Sequence, residues 1–169
     1  MSLGAERGLV TLETEREIDL VARISVGWPE GKFLGLAESC TGGLLGAAIT
    51  ALPGVSSWFR GSVVAYHNQL KTDLLGVPYE TLQQFGAVSA ECARAMSEGV
   101  RAALSAQVGL AVTGIAGPQG ASPEKPVGLV FIALSDGDRE SCERFHFAGD
   151  RNAIREAAVV QALLMLKNW

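Results

Sequence analysis

Three short stretches of this 169-residue chain gather polar side chains and glycine where apolar runs end: "AESCTGG" at 37–43, "AYHNQLK" at 65–71 and "VTGIAGP" at 112–118. In the first, Ser39, Cys40 and Thr41 set two hydroxyls and a thiol ahead of a helix-like run, and Gly42 and Gly43 let a substrate approach the backbone. A helix beginning there offers free N–H groups and a positive dipole end to an anion or a developing oxyanion. The chemistry this raises is a nucleophile held over a helix N-terminus. A plainer reading is an N-capped helix with Thr41 or Ser39 as the cap, and spacing alone favours it.

A serine nucleophile needs a base. The sequence holds two histidines, His67 and His146. His146 alternates with Phe145 and Phe147 in "RFHF", which points it to solvent from a strand. For His67 the commoner fate is an ordinary loop hydrogen bond. Lys71 falls one helical turn after His67, just beyond a strand end, and Ser–Lys pairs are a variant of triad logic. Taken alone, a lysine is expected at the solvated surface. Cys40 is intrinsically more nucleophilic than Ser39, yet without an evident partner it reads as a small buried residue. Glu38 either fixes Lys71 or solvates a turn.

Other chemistries lack their residues. "GIAGPQG" does not have G-x-G-x-x-G spacing and no G-x-x-x-x-G-K-[ST] occurs, so neither a dinucleotide fold nor a P-loop is indicated. No H-E-x-x-H or carboxylate cluster points to a metal, and no cofactor is expected.

The elements that must position these residues follow from periodicity. "TEREIDLVARISVGW" opens with Thr14 and Glu17 in capping-box spacing and continues with Ile18, Val21 and Ile24 at helical period. "KFLGLA" is a short buried strand, "GGLLGAAITAL" a helix closed by Pro53-Gly54, and "GSVVAYHN" a second strand. "QLKTDLLG" and "YETLQQFG" are two short helices, each ending at a glycine able to act as a left-handed cap. Ser89 caps the clearest helix, whose stripe is Cys92, Met96, Gly99, Val100, Ala103 and Leu104. "QVGLAVTG" is a third strand, and a long Gly/Pro loop follows. "GLVFIALS" and "ESCERFHF" form a hairpin through Asp136-Gly137. The last helix starts after Gly149-Asp150, with Ile154, Ala157, Ala158, Gln161 and Met165 on its inner face. Strands alternating with helices and ending in a hairpin argue for a three-layer α/β/α sandwich on a mixed sheet.

Composition bounds the rest. At 48% hydrophobic and 19% charged the chain can bury one sizeable core and reads as a single domain over 1–169, with the first ten residues set apart from the fold. A net charge of −4 without a basic stripe gives no reason to expect nucleic acid. No apolar run reaches membrane-spanning length and no secretory signal opens the sequence. Cys40, Cys92 and Cys142 are odd in number and far apart, so neither a disulfide framework nor a zinc site is supported. A cytoplasmic protein is expected.

The segments "AESCTGG", "GSVVAYHNQLK", "GAVS", "VTGIAGP", "EKPVG" and "GDRNAIR" occur in this order. Together they resemble the C-terminal domain of the competence/damage-inducible CinA proteins, a domain that also occurs as a stand-alone nicotinamide-nucleotide amidase. The larger CinA proteins carry an additional N-terminal domain that these motifs do not touch. The resemblance implies hydrolysis of the carboxamide of nicotinamide mononucleotide to nicotinate mononucleotide and ammonia. It implies Ser39 as the nucleophile, with Lys71 and Tyr66 assisting. Thr41, Gly42, Gly43, Asn68, Thr113, Gly114 and Gly117 would line the substrate site, with Arg151 and Arg155 receiving phosphate. The family's usual Y-S-N-E-x-K reads "YHNQLK" here, so His67 and Gln69 replace a small hydroxyl and a carboxylate that would be a candidate orienter of Lys71. The competing expectation is a nucleotide-binding or regulatory module without chemistry. A homodimer or larger homo-oligomer is also expected.

Overall fold

Large side chains alternating with Gly or Ala determine the centre of the fold. In "LGLAE" (β1, Leu34–Glu38) and "VGLAVTG" (β3, Val108–Gly114) the leucines and valines fall on one face and the small residues on the other. In the computed structural model, which describes residues 17–169, both are buried central strands. With β2 (Phe59–Val64), β4 (Leu129–Ser135) and β5 (Glu140–His146) they form one sheet in the order β2-β1-β3-β4-β5. β1 runs parallel to β2 and β3, while β4 and β5 add antiparallel partners, so the sheet is mixed as expected.

Leu34, Leu36, Leu110, Val112, Ile132 and Leu134 pack against α1 (Glu17–Gly27), α2 (Leu44–Thr50) and α6 (Arg151–Lys167). The opposite face carries Ala37 and Ala111 against Cys92, Met96 and Val100 of α5 (Ala90–Leu104). On that side α3 (Asn68–Leu75) and α4 (Tyr79–Phe85) lean on α5. The result is the three-layer α/β/α sandwich. Small residues make the second layer tight: a Cβ at Gly109 would run into the Ser97 carbonyl, and one at Gly99 into that of Leu75.

Several local expectations change. The buried face of α6 runs through Ile154, Ala158, Val159, Ala162, Leu163, Met165 and Leu166, leaving Ala157 and Gln161 half-buried at its margin. On α5, Ala103 is exposed and Ala93 and Ser97 complete the inner stripe. Gly76 is the left-handed cap of α3, whereas Gly86 after α4 combines φ 78° with ψ 168° and is no such cap. In the β4–β5 hairpin Asp136 N donates to Arg139 O, so the central pair is Gly137-Asp138, with the positive φ at Gly137 alone. The Thr14 cap and the setting-apart of the first ten residues lie outside the described residues. Among those described, no helix is long and apolar enough to cross a membrane.

Candidate active site

The chain leaves β1 toward β2 on one side and reaches β3 on the other, so the carboxyl ends of these parallel strands open at a topological switch point. All three polar stretches end up there. Ser39 is the first residue beyond β1; its N–H donates to Val112 O (3.0 Å) and its carbonyl accepts from Gly42 N (3.1 Å). Both flanks of the hydroxyl-bearing residue are therefore tied to the sheet and to its own turn.

Lys71 arrives from α3. His67 caps that helix, its Nδ1 accepting from Gln69 N at 3.2 Å, so His67 takes the loop role and reaches no serine. Lys71 and Leu75, one turn apart, form the inward stripe of α3, and Gln69 faces out with its amide on Asp73 Oδ1 (2.8 Å). A carboxylate at position 69 would thus point away from Lys71, so the departure from the family pattern does not remove an orienter. Lys71 is 1% exposed. Its Nζ lies 3.0 Å from Ser39 Oγ, 2.8 Å from Ala65 O and 3.2 Å from Tyr66 O. Among the described residues no carboxylate pairs with it, and burial lowers its pKa from the ordinary 10.5, against a smaller raising influence of Cys92 and Cys40. Burial pushes the neighbouring Cys40 thiol up to about 11, which keeps it protonated and weakly nucleophilic.

These residues floor a cleft of about 220 Å³. Asn68, Thr113, Gly114 and Gly117 line it. Thr113 Oγ1 donates to Ala87 O at 2.7 Å and so holds the 86–88 turn as one wall. Ile115, Ala116, Gln119 and Gly120 join Gly117 in another wall, and only Gly117 among them had been expected there. Arg151, from the first turn of α6, closes one end, with Nη1 on Gly117 O (2.7 Å) and Nη2 on the Tyr66 hydroxyl (3.0 Å). The Tyr66 phenol is bonded there and not to Ser39 or Lys71. Its backbone carbonyl, which has no side-chain signature in a sequence, is what serves the lysine.

Other expected site residues stand behind the cleft. Arg155 donates to the carbonyls of Cys40 (3.2 Å) and Thr41 (2.8 Å), bracing the serine turn from α6. Thr41 is buried with its Oγ1 unpartnered, and neither it nor Ser39 caps α2. Glu38 does. Its carboxylate takes the amides of Gly43 (2.9 Å), Leu45 (3.1 Å) and Gly46 (2.9 Å), which settles its ambiguity in favour of neither earlier role. Gly43 thus has no free N–H for a substrate. No group of three or more His, Cys, Asp or Glu among the described residues is arranged to hold a metal ion.

Residues 24–169 match the CinA C-terminal domain. The chain belongs to that family. A CinA-like protein of Geobacter metallireducens is 53% identical over 137 residues, 81% of this chain and 33% of that protein. A CinA-like protein of Dictyoglomus thermophilum is 44% identical over 160 residues, 95% of this chain and 37% of that one. The chain therefore spans about a third of the length of these relatives. The crystal structure of the competence/damage inducible protein CihA from Agrobacterium tumefaciens superposes with a TM-score of 0.87 at 40% identity, covering 95% of this chain and all of that one (100%). A CinA superfamily protein from Escherichia coli gives 0.89 at 29% identity, covering 100% and 99%.

Proposed function

We propose that this CinA domain is a nicotinamide mononucleotide deamidase that works through Ser39 and Lys71. The observation that carries the reading is a buried amine, without a carboxylate partner among the described residues, 3.0 Å from a serine hydroxyl at the floor of an open cleft. Neutral Lys71 has two N–H bonds and one lone pair. Ala65 O and Tyr66 O can only accept, so they take the two N–H bonds and leave the lone pair facing the Ser39 hydroxyl. Lys71 takes the serine proton as Oγ bonds to the carboxamide carbon. The amides of Cys40 and Thr41, which face the Cys40 sulfur in the free site, turn to the oxyanion as its donors in this scheme. Collapse expels ammonia, protonated by Lys71, and water then cleaves the acyl-enzyme with Lys71 again as base.

Arg151 is the phosphate anchor. It is held in the free site by two neutral acceptors, and a phosphate offers stronger, charge-assisted bonds. Its arrival frees the Tyr66 phenol to join the same oxyanion or the ribose. A cytoplasmic homodimer or larger homo-oligomer belongs to this proposal; a single monomeric boundary in sedimentation velocity contradicts the assembly.

The test is ammonia release from nicotinamide mononucleotide by the purified chain, beside Ser39→Ala. The amidase reading expects turnover by the first only, with the nucleotide bound by both. Binding without turnover by either favours the module that binds a nucleotide and does no chemistry.

A further inference from the structure

Glu38 directly precedes the nucleophile and is fully buried, yet no cation meets it among the described residues. A carboxylate so placed is costly unless several donors replace water. Four do: Oε2 accepts from Gly43 N and Leu45 N, and Oε1 from Gly46 N (2.9 Å) and Ser62 Oγ (2.7 Å). The side chain thereby closes residues 38 to 46 into a ring that contains Ser39 and pins that ring to β2. The backbone of Glu38 is fixed as well, since its carbonyl accepts from Ala65 N at 2.9 Å, the residue whose own carbonyl holds Lys71. Nucleophile and base are thus referred to one clamp.

We infer that Glu38 is a positioning residue: its carboxylate clamps the first turn of α2 so that Ser39 Oγ is held against Lys71 Nζ. The inference rests on Ser39 being the nucleophile, not on the identity of the substrate.

A fluorophosphonate probe separates the two. Ser39 Oγ bonds to phosphorus, fluoride leaves, the proton passes to Lys71, and intact mass reports the phosphonyl ester. Wild type is expected to label at Ser39 and Ser39→Ala not at all. Glu38→Gln keeps the shape but turns an NH₂ toward backbone N–H donors. It is expected to label about 30- to 100-fold more slowly, the effect of a displaced reacting atom. The pH midpoint of labelling should stay within about 0.3 unit, because the base is unchanged. Gly46→Ala guards against a misfolded Gln variant. Its Cβ would stand 3.3 Å from Glu38 Oε1 and 3.2 Å from Ser62 Cβ, while alanine favours the helix. Labelling about 3- to 10-fold slower, without loss of melting temperature, is expected of it.

A purely structural clamp would lower the melting temperature and leave the labelling rate per folded molecule unchanged, which overturns the inference. So does a shifted pH midpoint, which makes Glu38 an electrostatic partner of the base, or a wild type that does not label at Ser39. Labelling that depends on Glu38, together with no ammonia from nicotinamide mononucleotide, sustains the clamp and removes the amidase.

Discussion

The proposed route needs a neutral Lys71, and burial biases it that way. Activity should therefore rise with pH through an apparent pKa below 10.5, and the pyridinium ring of a bound substrate should lower it further, so the value in kcat falls below that in kcat/KM. The same shift has a stability sign. Between the lowered value and 10.5 the unfolded chain holds a proton that the folded chain lacks, so folding stability increases with pH across that window. Thermal melts of wild type and Lys71→Met from pH 7 to 10 should show wild type gaining on the variant; a constant difference contradicts a lowered lysine. At the neighbouring position, Cys40→Ala should keep activity within about threefold, because a thiol near 11 is not the nucleophile, whereas Ser39→Ala should lose at least about 10³-fold. Inactive Cys40→Ala beside active Ser39→Ala in the ammonia assay reverses the assignment. Residue types alone made Ser39 a helix cap and Lys71 a surface lysine; it was the resemblance in ordered motifs that paired them. The carbonyls of Ala65 and Tyr66 that set the amine's orientation were not legible, since every residue carries one.

At the scale of elements, short-range spacing served where partners lie within one turn and failed beyond it. Ser89 caps α5 through Cys92 N (3.1 Å), as its spacing foretold, and Asp150 caps α6 through the amides of Asn152 and Ala153. The cap of α2 comes from Glu38, outside the Ncap-to-N3 pattern that the Ser39 or Thr41 reading relied on. Arg151 and Arg155, expected to face one phosphate, are bonded to different parts of the site, Arg151 to Gly117 O and the Tyr66 hydroxyl and Arg155 to the carbonyls of the serine turn. Arg151→Ala should raise KM for the mononucleotide about 10- to 100-fold and affect the dephosphorylated riboside far less, the loss expected of a charge-assisted bond. Arg155→Ala should instead lower kcat with little change in KM. Steady-state kinetics on both substrates checks the split, and equal effects of the two substitutions contradict it. Asp150→Ala should cost about 1 kcal/mol of stability, seen as a melting shift of a few degrees.

For the whole molecule, the layered class was readable from the alternation of strands with helices, while the regular large/small alternation of β1 and β3 is what lets one face receive α1, α2 and α6 and the other take α5 at close range. Strand order was not readable from periodicity, and it is strand order that brings 37–43, 65–71 and 112–118 to one sheet end. Ile115, Ala116, Gln119 and Gly120, beside the expected Gly117, went unassigned for the same reason: they acquire a role only through where the chain crosses the cleft. The central claim is a covalent route through Ser39, and an acid quench of the chain during turnover of nicotinamide mononucleotide tests it most directly. Intact and peptide mass should show the nicotinoyl nucleotide as an ester on the peptide containing Ser39, formed in wild type and absent from Ser39→Ala and Lys71→Ala. Ammonia release at full rate by either variant, or an adduct on Cys40 in its place, would contradict the account.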